Sequence, residues 1–161
     1  MRIGVLADSH DNFALVESAI RLLVEQGAEA IFHCGDLTTA RVVDLCGALP
    51  FYFVFGNHDA DSAPELLAAA EADGVHCLQW GGAVSLDGTR VAICHGHMTS
   101  DLRPLLDAEP DYLLTGHTHE RRDSRQGKTR RVCPGALYRT DSPSVAIIDL
   151  LNDDVTFHSV S

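Results

Sequence analysis

Three short apolar runs near the start of the chain each break off into a polar cluster. Arg2 to Ala7 runs into Asp8-Ser9-His10-Asp11-Asn12, and Ala30 to Cys34 into Gly35-Asp36. The aromatic and β-branched run Phe51 to Phe55 ends in Gly56-Asn57-His58-Asp59. Between them, Phe13, Val16, Ala19, Ile20, Leu23 and Val24 recur at helical spacing, which predicts an amphipathic helix capped by Asp11 or Asn12 and stopped at Gly27. Thr38 or Thr39 is placed to cap a second helix that Gly47 and Pro50 end, and Ser62-Ala63-Pro64-Glu65 reads as a capping box opening a third. Strand, helix, strand, helix, strand calls for parallel strands with helical crossovers. Ligands of such sheets sit beyond the carboxyl ends of the strands, where all three clusters lie.

The second half changes character. Strands are expected at Val75 to Leu78 and Ala83 to Leu86, with Asp87-Gly88 turning into a return strand, Thr89 to Cys94. His95-Gly96-His97 follows at once. A short helix is expected near Asp101 to Asp107, with Pro104 confined to its first turn. Tyr112 to Thr115 reads as a strand ending in Gly116-His117-Thr118-His119. Arg130 to Cys133, Ser144 to Leu150 and Val155 to Ser159 read as further strands, with a hairpin loop at Asn152-Asp153-Asp154. Pattern alone gives a mixed α/β domain, with no repeat or linker, spanning residues 1–161.

Composition removes several functions. The formal net charge is −11 and Lys128 is the single lysine, so the basic footprint of a nucleic-acid binder is missing. The N-terminal apolar run meets Asp8 too early for a signal peptide, and no run is long enough to span a bilayer, so a cytoplasmic protein without a membrane partner is expected. Cys34, Cys46, Cys77, Cys94 and Cys133 are scattered and never spaced C-x-x-C, which fits small buried residues in a reducing compartment.

Five strand ends therefore carry carboxylate, amide or imidazole groups: Asp8 and His10, Asp36, Asn57 and His58, His95, and His117 and His119. A single histidine at a strand end is more often a partly buried side chain than a ligand, and His33, His76 and His158 are read that way. Five separate termini all ending in ligand residues are not explained so. The set exceeds what one tetrahedral zinc takes and suits two ions drawn from Mn, Fe, Zn, Co or Ni, with Mn the first choice. Two ions need a group that touches both. Asp36, alone between clusters that supply several groups each, is the natural bridge.

In order, residue type and strand-end setting, these five blocks resemble those of the calcineurin-like metallophosphoesterases, from Asp8 to about Arg139. The short chain is similar to the small bacterial and archaeal phosphodiesterase branch. Val132-Cys133-Pro134-Gly135-Ala136 resembles that branch's Asn-Pro-Gly-Ser loop, with Cys133 and Ala136 in place of Asn and Ser. The resemblance implies a four-layer α/β (α+β) sandwich, two mixed β-sheets packed face to face and flanked by helices. It also implies that Asp8, His10, Asp36 and His119 hold one divalent ion, and Asp36, Asn57, His95 and His117 the other.

The expected reaction is in-line attack of a metal-bridging hydroxide on a small phosphodiester or monoester. His58, beside Asn57 but not a ligand, is expected to protonate the leaving oxygen, help worth about 10²–10⁴ in rate. Protein Ser/Thr phosphatases of the wider family follow Gly-Asp with a second Asp and an Arg, where this chain has Thr39 and Ala40. The carboxylate orienting His58 must therefore come from elsewhere, and Asp59 is the candidate. His97 and Arg139 are candidate substrate-binding residues, while Arg121 and Arg122 are read as solvated. The chain is too short for a large cap, so the site is expected to be open, or completed by a second copy in a homodimer or higher homo-oligomer. The rival expectation is a metal-binding scaffold like the retromer sorting subunit. Such relatives typically have an altered catalytic group, whereas every position is filled here.

Overall fold

β1 (Arg2–Leu6), β2 (Ala30–His33) and β3 (Phe51–Phe53) lie side by side and parallel in a computed structural model that describes residues 1–161. β4 (Val75–Cys77) continues this parallel set, and β10 (Ser144–Asp149) and β11 (Asp154–Ser159) join antiparallel at its other side. The resulting six-stranded sheet has the order β11-β10-β1-β2-β3-β4. Its crossovers are α1 (Phe13–Glu25), α2 (Ala40–Cys46) and α3 (Ala63–Ala69). A second sheet contains β5 (Gly81–Leu86), β6 (Thr89–Cys94), β7 (Tyr112–Leu114), β8 (Arg121–Gln126) and β9 (Thr129–Pro134) in the order β5-β6-β7-β9-β8.

Alternation along the strands builds the layers. Leu6, Ile31, Phe51 and Phe53 face the helices and pack with Val16, Leu23, Val42 and Leu66. Ile3, Val5, Phe32 and Val54 point the other way, into a core shared with Val91, Ile93, Tyr112, Leu114 and Val132 of the second sheet. Ala92, Cys94 and Leu113 cover that sheet's far side under α4 (Thr99–Asp107). The expected four layers are present. All five cysteines are free, and no helix is long and apolar enough to cross a membrane.

Local expectations fail in five places. Asn12 occupies the N-cap position of α1 without capping it; its side-chain amide donates to the Leu137 carbonyl at 3.4 Å. The Ser62 capping box does not form, because a 3-10 turn over Ala60–Ser62 feeds directly into α3 and Ser62 is already helical (φ −95°, ψ −1°). Glu65 instead accepts the Ala40 N–H at 2.9 Å, across to the start of α2. Thr39 occupies the N-cap position of α2 without capping it; its hydroxyl donates to Asp11 Oδ1 at 2.7 Å. α4 begins at Thr99, which puts Pro104 beyond the first turn, where its ring denies the Ser100 carbonyl a partner. Lastly, β8 has no apolar alternation to announce it. Its pairing with β9 and the two-pronged contact of Arg130 with Asp123, both distances 2.7 Å, hold it in place.

Candidate metal centre

Both sheets present the carboxyl ends of parallel strands at one edge, and the five polar blocks meet there. Asp8 and His10 follow β1, Asp36 follows β2, Asn57 and His58 follow β3, His95 follows β6, and His117 and His119 follow β7. The approach is close. A Cβ on Gly56 would collide with Asp36 Oδ1, and one on Gly35 would stand 2.7 Å from His95 Nδ1. Glycine at both places lets the first sheet's loops close on each other. Backbone strain concentrates at the same spot: Asp8, His10, Asp36, His117 and His119 all have φ between 40° and 69°. Such left-handed conformations cost about 1–3 kcal/mol each where the side chain is not glycine.

Asp36 Oδ2 lies at the centre, 2.9 Å from His58 Nδ1, 3.1 Å from His10 Nε2 and 3.5 Å from His95 Nε2. Burial pushes the Asp36 carboxyl up, but the hydrogen bonds from His10 and His95 override it and hold the group far below the ordinary carboxylate range. Asp8 is fully buried. Its Oδ2 accepts the His117 N–H at 3.0 Å, while Oδ1 has no hydrogen-bond partner and lies 3.3 Å from His119 Nε2 and 3.8 Å from His95 Nε2. Burial raises its pKa, against the opposing charges of His95 and His119. His95 gives its Nδ1 proton to the Cys34 carbonyl at 2.7 Å, so in the neutral ring Nε2 carries the lone pair. That lone pair faces Asn57 Oδ1 at 3.0 Å and the carboxylates of Asp36 and Asp8. A lone pair opposed by three oxygen acceptors is resolved either by a proton, which against the effect of burial Asp36 and Asp8 favour by raising the His95 pKa, or by a metal cation that also satisfies the orphaned Asp8 oxygen. Three overlapping sets of ligand atoms lie within 4.8 Å of one another: Asp8, His10 and His119; His10, Asp36 and His58; Asp8, Asp36 and His95. The donors are oxygens and imidazoles, as hard-to-borderline divalent ions prefer.

His117 is not in those sets; its ring stands 5.1 Å from His95 and lines the site. His97 lies one ring further out, 5.3 Å from His95, with Nδ1 buried and unpartnered. A cavity of about 250 Å³ opens over the centre, bounded by His10, Asp36, Asn57, His58, His117, His119, Tyr138 and Arg139. All but one of these lining residues are polar or charged.

Asp59 does not touch His58. Its Oδ2 accepts the amides of Asp36 (2.7 Å), Gly56 (2.7 Å) and Leu37 (3.3 Å), and its Oδ1 that of Thr38 (2.7 Å). It is a buried clamp joining the β2 and β3 loops. The carboxylate beside His58 is Asp36, which also accepts the His58 N–H at 3.0 Å. Two residues escaped the sequence reading. Tyr138 stacks on His10 with ring centres 4.5 Å apart, and Arg139 lies over Tyr138 at 5.3 Å. Nothing in its spacing marks Tyr138; the turn at Gly135 delivers it. The other is His33, fully buried. Its Nδ1 accepts the Gly35 N–H at 3.2 Å, so Nε2 carries the proton and donates it to Ser9 Oγ at 2.9 Å. Burial lowers its pKa to about 3, which keeps it neutral. It thereby ties the Asp8-Ser9-His10 loop to the Gly35-Asp36 loop. A histidine two residues before Gly-Asp inside an apolar strand was the available signal.

Two packed mixed sheets, with carboxylates and imidazoles gathered at their common strand ends, define a metal-dependent phosphoester hydrolase. Residues 1–153 match the model of the calcineurin-like phosphoesterase superfamily domain, and the chain belongs to that superfamily. It is 26% identical to a phosphodiesterase of Methanocaldococcus jannaschii over 92% of this chain and 93% of that protein. Among solved structures, an archaeal phosphodiesterase superposes with a TM-score of 0.88 at 24% identity, covering 99% of both chains. A mutant of Vps29 from Entamoeba histolytica superposes with a TM-score of 0.67 at 19% identity, covering 99% of this chain and 98% of that one.

Proposed function

We propose that the chain hydrolyses small phosphodiesters, with monoesters as further candidate substrates, at a two-metal centre. Asp8, His10, Asp36 and His119 would hold one ion and Asp36, Asn57, His95 and His117 the other, with Mn favoured among Mn, Fe, Zn, Co and Ni. When bound, such a pair supplies Lewis acidity toward the phosphoryl oxygens and lowers the pKa of water. The observation that carries this reading is the meeting of His95 Nε2, the orphaned Asp8 Oδ1 and the Asp36 carboxylate, ligand atoms within 4.8 Å of one another.

The chain's own residues do the rest. Asp36 fixes the His58 ring through Nδ1, and the exposed edge of the ring borders the cavity, where it delivers a proton to the departing oxygen. Arg139 brings a permanent positive charge to the rim, suited to a phosphoryl oxygen. Tyr138 holds His10 in place by stacking.

The likeness to Vps29 favours a second reading, a metal-binding scaffold on the same fold. One experiment separates the two. Purified protein is supplied with Mn²⁺ and bis(p-nitrophenyl) phosphate, alongside Asp36→Asn and His58→Ala. Turnover lost in Asp36→Asn and reduced in His58→Ala supports hydrolysis. Full metal occupancy without turnover supports the scaffold.

A further inference from the structure

The sole tryptophan of the chain, Trp80, is 38% exposed close to the centre. It leans edge-on against Phe55, ring centres 5.3 Å apart, which leaves much of the indole uncovered. Two ring-to-ring steps of 6.1 Å each lead from His117 to His97 and from His97 to Trp80. Beyond the indole lies a depression of about 340 Å³, bordered also by Gln79, Ser100, Asp101 and Pro104. Trp80 thus lies two ring contacts out from His117 and borders a second hollow that the hydrolytic chemistry does not use.

We infer that this shelf holds one ester arm of the substrate, an uncharged planar aromatic group with hydrogen-bonding groups around its edge, a nucleoside being the type. An exposed indole offers stacking to a flat ring and little to an alkyl chain. The amide of Gln79 and the hydroxyl of Ser100 are placed for the polar edge of a base or sugar. Asp101 accepts hydroxyl or amino protons and repels a second phosphate, and the formal charge of −11 repels a polyanion in the same way. The two 6.1 Å steps put Trp80 no more than about 12 Å from the His117 ring, a separation that a phosphate, sugar and base in line can span. This assignment rests on the phosphodiesterase reading above.

Because Trp80 is the chain's single tryptophan, its fluorescence reports the shelf directly. Thymidine 5′-monophosphate, added to metal-loaded protein, is expected to quench it saturably, and inorganic phosphate is not. Trp80→Ala is then compared on thymidine 5′-(p-nitrophenyl phosphate) and on methyl p-nitrophenyl phosphate, which share a leaving group. The ratio of their KM values is expected to shift about tenfold against the thymidine ester, the scale of one base stacked on an aromatic ring, with the change in KM and not in kcat. Trp80→Phe should restore most of it. An unchanged ratio, or no quenching by the nucleotide while methyl p-nitrophenyl phosphate is still hydrolysed, overturns the shelf alone. If neither ester is hydrolysed, the phosphodiesterase reading fails and the shelf falls with it. Should Trp80→Ala not fold, quenching in the unaltered protein decides.

Discussion

Replacing His33 with glutamine should make the pH dependence of stability cross that of the unaltered protein. Two effects of opposite sign set the crossing. At neutral pH the native imidazole accepts the Gly35 N–H through Nδ1 and donates to Ser9 through Nε2. Glutamine can reach Ser9 but has no atom where Nδ1 stood, so a buried amide loses its partner, at a cost of about 1–2 kcal/mol. As pH falls, the sign reverses. Burial holds the folded His33 pKa at about 3, against an ordinary value of 6.5. Below 6.5 the unfolded chain therefore binds a proton that the folded chain refuses, and stability present above that pH is lost progressively down to about 3. Each pH unit inside the window removes about 1.4 kcal/mol, so the loss reaches about 2 kcal/mol at about pH 5. His33→Gln escapes that loss. It should be the less stable protein at about pH 7.5 and equal or superior by about pH 5, with the curves meeting between about pH 5 and pH 6. Urea unfolding followed by circular dichroism, with a chelator present so that only protons titrate, measures both curves. Parallel curves would refute the reasoning, since His33 would then bind the same number of protons in both states.

Three further outcomes are expected. His58→Ala should slow diesters with alkoxide leaving groups by about 10²–10³ and nitrophenyl esters far less, because a good leaving group needs no proton; equal slowing across a leaving-group series would remove His58 from proton transfer. Asp59→Asn turns an amide NH₂ toward a backbone N–H that now meets a carboxylate oxygen, so stability should fall by about 2 kcal/mol, and an unchanged urea midpoint would contradict the clamp. Asp123 is held below its ordinary pKa chiefly by its hydrogen bonds with Arg130. The stability it contributes is present above the ordinary carboxylate pKa and lost as pH falls through the lowered one. Asp123→Asn should thus cost about 1 kcal/mol at neutral pH, discounted for partial exposure, and nothing once the carboxylate is protonated; a cost independent of pH would count against it.

The strand ends were legible because an apolar run that breaks into Asp, His or Asn shows in a linear sequence. Their convergence was not, since it depends on two sheets packing with the ends of their parallel strands at one edge. Only the family resemblance supplied that picture. Asp59 shows the limit well. Its position beside His58 suggested a partner for the imidazole, but three amides from the end of β2 and the Gly56 amide of its own turn occupy both oxygens. His33 was set aside for a related reason: inside an apolar strand its ring looks like filler until Ser9 and Gly35 are brought to either side. β8 was hidden because Arg121–Gln126 has no face to bury, and its partner strand alone makes it a strand.

The left-handed backbone at Asp8, His10, Asp36, His117 and His119 bears on how a guest is received. Asp8 and His10 donate their N–H groups to the Gly35 and Asp36 carbonyls, both at 3.0 Å, and Gly116 donates to the His95 carbonyl at 3.0 Å. These contorted stretches are therefore cross-braced rather than loose. Little conformational freedom remains to be surrendered on arrival, so most of the contact energy can appear as affinity, and the empty and loaded forms should superpose closely.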